Sequence, residues 1–499
     1  MSSQDRALAQ EVLDRLALDV SELREQLLAA ERKLADVLDA VHPQNQASAR
    51  NLIHYLALRR YDVRGLQRRL ARAGLSSLGR SESHVLVTIN RILGMLALAR
   101  GTVAPEMAAP PVEFRQGERI LAANARNLLG SHPRHRTVRI MATLPTEAAE
   151  DARMVSKLIA AGMDCARINC ARDDAATWSA MAENVRAGVR ANGRECRILV
   201  DLGGPKARTG SIAGGRARVT LSVGDRLELV KEAPDLRKRD DALPRVGCTI
   251  PEIVQAMRVG EPIYFDDGNI GGIIEERTAD GVTVRVTRAK PGGTKLRSQR
   301  GINVPQTSVV LPAISAKDLQ DLDAVIPFAD LIGLSFAQQT EDVLALHEAL
   351  AKHEAGHVGV ILKIETGRGF DNLPQLLLTA MQRRNAGIMI ARGDLAVEVG
   401  FERMAELQEE MLWIGEAAHT PTVWATMVLD TLAKEGALSR AEMTDAAMSA
   451  RAEAVMLNKG PYIVEAIHTL DDILRRMKEH QSKKRPLLRA LHVSRSLWR

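Results

Sequence analysis

The sequence predicts an α/β protein: a (β/α)8 TIM barrel with an inserted small all-β lid domain and an α-helical N-terminal extension. Three observations carry this. From residue 136 onward, eight short apolar runs alternate with amphipathic stretches, the number of β-then-α units a closed parallel barrel needs. The connection at 207–302 is far longer than a barrel loop and is rich in Gly, Val, Thr and turn pairs. Before residue 136, apolar residues recur at helical rather than alternating spacing.

The apolar runs lie at 138–144, 165–170, 198–202, 331–336, 360–364, 387–390, 423–426 and 454–457. Stretches with helical spacing lie at 151–161, 175–191, 316–326, 341–353, 373–383, 402–417, 439–450 and 463–477. The barrel is therefore expected in two parts, 136–206 and 303–480. Turn signals such as Asp266-Asp267-Gly268 and Asp280-Gly281 divide 207–302 into short strands. A lid inserted there lies over the C-terminal mouth, where it excludes water.

In the extension, 1–135, the positions of Val12, Leu16, Leu23, Leu27, Leu34 and Leu38 predict one long helix over 7–41. Further helices are expected at 51–70, 82–98 and 117–129, with a Pro/Ala linker at 101–111. Amphipathic helices of this kind are packing or oligomerisation surfaces. A basic tail, 481–499, follows the barrel.

A chain of 499 residues predicts more than one domain, and 45% hydrophobic with 26% charged residues is ordinary for a globular chain. With only 3% aromatics, the core must be built from Leu, Ile, Val, Ala and Met, and base-stacking platforms are not expected. The net charge of +6 comes largely from N-terminal arginines and the tail; no helix-turn-helix or zinc signature accompanies it, so a nucleic-acid partner is not expected. Cys165, Cys170, Cys196 and Cys248 form no CxxC pair and suit a reducing compartment. No apolar run is long enough to span a membrane, and the expected location is the cytoplasm.

Working residues of such barrels sit at the C-terminal ends of strands. Here those ends read Arg167-Ile168-Asn169, Asp201, Lys363-Ile364-Glu365, Ala391-Arg392-Gly393-Asp394 and Ala425-Thr426. Glu365 and Asp394, on neighbouring strand ends, suit Mg²⁺, which takes one or two carboxylates and completes its shell with substrate oxygens and water. Lys363 precedes Glu365 by two residues, so on a strand both point to one side. A lysine beside a metal can neutralise a transferring phosphoryl group or a developing enolate, and Arg167 can hold a phosphate in bidentate fashion.

Several blocks resemble the pyruvate kinase family in family order. They are AGMDCARIN at 161–169, DLGGPKARTG at 201–210, DDG at 266–268, RGINVP at 300–305, LPA at 311–313, ILKIET at 361–366, IMIARGDLAVE at 388–398 and SRAE at 439–442. The resemblance spans roughly 136–478, lid included. It implies phosphoryl transfer from phosphoenolpyruvate to ADP, giving pyruvate and ATP, with Mg²⁺ (or Mn²⁺). Glu365 and Asp394 match the family's metal ligands, Lys363 its transition-state lysine and Arg167 its phosphate-binding arginine. Gly393, Asp394 and Thr426 match substrate contacts, with Thr426 near the step that protonates the enolate. Asn169, Arg208 and Arg300 fall on the nucleotide side, and the family's assembly habit implies a homo-oligomer.

The chain departs from the family's pattern in instructive places. Of the monovalent-cation site, Asn169 and Asp201 are kept, while Ala171 and Leu202 replace two oxygen ligands. Lys206 stands where many members carry glutamate, so a tethered ammonium is expected to replace K⁺ and make the reaction potassium-independent. Arg172 replaces a histidine, Gln338 a basic residue, and the loop at 457–461 is short, so the nucleotide side has drifted further than the metal side. The sequence stops soon after the eighth helix, so the family's C-terminal effector domain is not expected. Two other readings stay open: related Mg²⁺-dependent enolate chemistry such as oxaloacetate decarboxylation, or a catalytically weak metabolite-binding barrel with a partner-binding N-terminal region.

Overall fold

The computed structural model describes residues 3–486 apart from 104–105, 238–242, 308, 310 and 484; the basic tail from 487 onward lies outside them. Eight parallel strands among the described residues close in chain order. They are β1 (Arg139–Thr143), β2 (Cys165–Asn169), β3 (Arg197–Asp201), β4 (Leu331–Leu334), β5 (Gly359–Ile364), β6 (Ala386–Ala391), β7 (Thr422–Val428) and β8 (Ala454–Leu457). Arg139 opposite Ala454 completes the ring. A parallel strand inside a helical ring is covered on both faces, which is why β5 reads Gly-Val-Ile-Leu-Lys-Ile and is buried throughout.

The N-terminal mouth is filled from outside the barrel. Helix Gln116–Leu129 runs beneath it, and Leu128 and Leu129 join Met141, Leu199, Ile361, Met389 and Met456 in one interior cluster. Gly359 and Gly387 make room for this: a Cβ on either would lie 2.5 Å from a Leu128 methyl. Of the other N-terminal elements, helix Gln46–Arg59 and the turn Glu82–His84 pack on helix Phe401–Ala417, and the long first helix packs on Gln46–Arg59 and Val85–Ala99. Asn51 donates to the Ala417 and Glu82 carbonyls at 2.8 and 2.7 Å and accepts from Val85 N at 3.0 Å. His419, fully buried, lies 2.9 Å from both Ser48 Oγ and the Ser83 carbonyl.

Within the extension, the helix expected at 7–41 breaks at Leu34, giving Ser3–Lys33 and Ala35–Asp39. The helix expected over 51–70 is two, Gln46–Arg59 and Arg64–Arg72. Between them Asp62 accepts the Arg64 N–H at 3.0 Å and its guanidinium at 2.7 Å, local side-chain bonds that compete with helix continuation.

The insertion after β3 forms a seven-stranded sheet and a two-stranded ribbon with their own apolar core, including Leu229, Phe265, Ile274 and Val284. Strand Thr294–Arg297 alternates buried and exposed, as a sheet with one wet face requires. Around the barrel the expected helices form, with ends shifted by a few residues. Three short helices at the C-terminal mouth, Gly367–Asp371, Arg392–Val399 and Asp430–Glu435, lie outside the stretches where helices are expected from sequence.

Candidate active site

At the C-terminal mouth, Lys363 points inward from β5 and is 7% exposed. Its ammonium lies 2.7 Å from Ser335 Oγ, 3.2 Å from Glu365 Oε1 and 3.4 Å from Asp201 Oδ2. Ser335, just past β4, donates its own hydrogen to the Leu202 carbonyl at 2.7 Å. Asp201, ending β3, also accepts from Arg167 Nε at 2.7 Å, and Arg167 reaches Thr143 Oγ1 on β1 at 3.1 Å. One network thus links the ends of β1, β2, β3, β4 and β5.

Burial alone would push the Asp201 carboxyl up, but Lys363 and Arg167 outweigh it and hold the group below its ordinary value. Burial would likewise favour a neutral Lys363; Asp201 and Glu365 reverse this and keep it charged. Glu365 goes the other way. Burial raises its pKa, Lys363 offsets part of the rise, and the nearby charge of Asp394 adds to it. Its Oε2 accepts the Phe336 N–H at 2.7 Å.

Asp394 is not at the end of β6. The chain turns at Ala391 (φ −85, ψ 72) and enters helix Arg392–Val399, so Gly393 and Asp394 sit in its first turn, where the helix dipole favours an anion. Arg392 fastens this helix to the exit of β7: it donates to the Ala425 and Thr426 carbonyls, forks onto Asp445, and stacks 4.6 Å from the Trp424 ring. Thr426 Oγ1 accepts the Gly393 N–H at 2.7 Å. Thr426 (φ 65) and Met427 (φ 59) both occupy the left-handed region, a strain of about 1–3 kcal/mol each that such sites concentrate.

Lys206 stands at the Asp394 end of the site. Its ammonium lies 2.6 Å from Asp394 and 3.8 Å from Asp267, rather than on Asn169 and Asp201. Asn169 Oδ1 instead caps its own turn, accepting Ala171 N at 3.1 Å. Nor is Arg167 a free fork: Asp201 and Thr143 hold two of its nitrogens. On the lid side, Arg208 donates to the Gln299 carbonyl at 3.3 Å and Arg300 lies 3.2 Å from Asp266. Burial first, and then the charge of Arg172, lower the Arg208 pKa.

Three participants escaped the sequence reading. Ser335 lies in the fourth apolar run and is not among the site residues expected from sequence. Glu398 and Asn303 bridge barrel and lid through a 3.1 Å hydrogen bond, and burial raises the Glu398 carboxyl to about 7. A helical reading of 392–399 would have found Glu398, one turn beyond Asp394. Lys206, Asn303, Phe336, Thr366 and Glu398 wall a cleft of about 740 Å³ between lid and barrel.

Among the described residues no three His, Cys, Asp or Glu side chains gather as a closed metal cage. Glu365 and Asp394, the carboxylates that the sequence offers a cation, act on each other's charge. Two carboxylates with open remaining positions fit Mg²⁺ better than Zn²⁺.

The family profile described as pyruvate kinase, barrel domain, matches residues 135–467. Pyruvate kinase of Thermococcus litoralis is 33% identical over 356 residues, covering 70% of this chain and 71% of that protein. Human pyruvate kinase PKLR is 32% identical over 377 residues, 72% and 63% of the two chains. Pyruvate kinase of Bacillus licheniformis is 31% identical over 358 residues, covering 70% of this chain. The chain spans 59% of the length of that enzyme and 55% of the one from Geobacillus stearothermophilus. No helix among the described residues is long and apolar enough to cross a membrane. With a closed parallel barrel, a β lid after its third strand and two thirds of its sequence matched, this chain belongs to the pyruvate kinase family.

Proposed function

We propose that the chain transfers the phosphoryl group of phosphoenolpyruvate to ADP, with Mg²⁺ and without K⁺. The observation that carries this is Lys363, a buried ammonium kept charged between Asp201 and Glu365 with one face toward the mouth. When bound, Mg²⁺ at Glu365 and Asp394 would draw charge from the phosphoryl oxygens. Lys363 neutralises the same group as its bond to the enol oxygen breaks and the bond to ADP forms, a preorganised charge in a site already dry. Arg167 holds the phosphate from the opposite strand, its orientation set by Asp201 and Thr143. The enolate left behind takes a proton at carbon. Thr426 Oγ1 accepts from Gly393 N, leaving its hydrogen to orient a water that delivers that proton.

Independence from K⁺ is supported by three features. Ala171 and Leu202 offer no side-chain oxygen. Arg167 and Lys363 already neutralise Asp201 through Oδ2. Its Oδ1, without a hydrogen-bond partner, is pressed on Gly333, where a Cβ would come within 2.0 Å, so it faces the next strand rather than a solvated cation. Lys206 brings a fixed positive charge to Asp394 instead.

The test is pyruvate release from phosphoenolpyruvate with ADP, Mg²⁺ and either K⁺ or tetramethylammonium as the monovalent ion. Equal ADP-dependent turnover with both ions, abolished in Lys363→Met, is expected. Turnover that needs K⁺ removes the potassium part. Silence toward phosphoenolpyruvate with Mg²⁺-dependent loss of oxaloacetate replaces the reaction itself.

A further inference from the structure

The N-terminal helices contain a cavity that this chemistry does not use. It measures about 430 Å³ and opens between helix Val85–Ala99, the segment before it, and Phe114. That volume falls in the range of small-molecule sites, roughly 300–1,000 Å³, which are mostly apolar with a few converging polar groups. Ile92, Met95 and Phe114 supply an apolar wall, with Met95 55% and Phe114 46% exposed.

The wall is preorganised. His84, 3% exposed, meets the Phe114 ring edge-on at 4.6 Å, and its Nδ1 lies 2.8 Å from Ser83 Oγ. Arg91 lies over the same ring, 4.9 Å from its centre. Phe114 is thus bracketed by an imidazole and a guanidinium, and its rotation is restricted before any ligand arrives. The charge is one-sided: Arg80 and Arg91 line the cavity, and no aspartate or glutamate does. An apolar pocket with a cation at its edge selects an anion carried on an apolar body, since a neutral apolar guest gains nothing from the Arg91 charge and a polar anion leaves the wall wet.

We propose that this cavity binds a small amphiphilic anion. Its carboxylate, sulfonate or phosphate end meets Arg91, and its ring or short chain lies on Ile92, Met95 and Phe114. The site lies outside the barrel and stands whether or not the proposed phosphoryl transfer does.

Anilinonaphthalene sulfonate, an anion on an apolar ring system, is the probe, titrated into the full chain by fluorescence. Phenylnaphthylamine, with the same rings and no charge, is its control. One saturable site per chain is expected, with weaker binding of the control. Arg91→Glu lies on an exposed position and weakens the sulfonate by at least about tenfold, the change expected on losing a charge-assisted hydrogen bond. Arg91→Lys retains part of the affinity, and circular dichroism shows both variants folded. Met95→Glu, also at an exposed position, abolishes binding of both probes. The proposal falls if the sulfonate titration is the same in wild type, Arg91→Glu and Met95→Glu, if the uncharged control binds as tightly as the sulfonate, or if binding never saturates.

Discussion

At the C-terminal mouth of the barrel the inward side chains are Arg167, Asp201, Lys363 and Glu365, tied by ion pairs of 2.7–3.4 Å. At the N-terminal mouth they are Leu128 and Leu129, set against Met141, Ile361 and Met389, with neutral hydrogen bonds from Asn51 and His419 around them. Both ends are buried, but the inward side chains of one are charges that must find partners, while the innermost of the other are methyl groups that need only fit, with the buried Arg136–Asp164 pair kept to its rim. Burying charge is costly and is tolerated where the charge is used; burying leucine stabilises outright. The expectation is a division of labour, with turnover controlled from one end and stability from the other.

The largest expected effect tests the first end. Lys363→Met should lower turnover by about 10³-fold, the scale seen when a preorganised electrostatic group is removed. Steady-state kinetics measures it, with the unfolding midpoint recorded alongside. A variant that keeps a tenth of its activity would end the assignment. Next comes Leu128→Ala at the other end, which should cost roughly 3 kcal/mol in urea unfolding, within the span for buried leucines, while leaving the KM for phosphoenolpyruvate unchanged. A shift in KM there would show the two ends coupled.

The third prediction concerns acid. Burial holds the His419 pKa down to about 4, below its ordinary 6.5, so the folded chain keeps a neutral ring. Between those values the unfolded chain takes up a proton that the folded chain refuses. Stability therefore falls as pH drops from 6.5 toward 4, by about 1.4 kcal/mol for each pH unit. Urea midpoints at pH 7, 6 and 5 measure this, and His419→Gln should flatten the slope; an unchanged slope would remove His419 as its source. The smallest effect belongs to the lid side. Arg208→Ala should raise the KM for ADP about tenfold, as expected for one charge-assisted contact, and leave that for phosphoenolpyruvate alone. An equal rise in both would move Arg208 from the nucleotide to the shared phosphate.

Much of the barrel was legible because its signal is local. Alternation marked the strands, and the two-residue spacing of Lys363 and Glu365 placed both on one face. What escaped depended on contacts distant in sequence. Nothing in Leu128-Leu129 distinguishes a stopper in a barrel from any buried helix, and its partners Gly359 and Gly387 follow more than two hundred residues later. The run at 391–394 read as a strand end because Gly393 is a poor helix former. The Thr426 hydroxyl and the Arg392 clamp nonetheless hold that glycine inside the first turn. Lys206 was recognised as unusual, but its partner was not: a lysine's long stem reaches whichever carboxylate the fold brings near, and that proved to be Asp394.

Helix Arg392–Val399 receives ties from several separate parts of the chain. Lys206 comes from the hinge of the lid, Asn303 from the lid's last strand, Thr426 from the exit of β7, and Asp445 from a barrel helix. In modular terms, the lid is therefore not a cassette. A chimaera that exchanges 207–302 for a foreign β domain leaves both Lys206 and Asn303 just outside its splice points. The graft must accept their geometry or unseat the eight residues that both halves of the enzyme share.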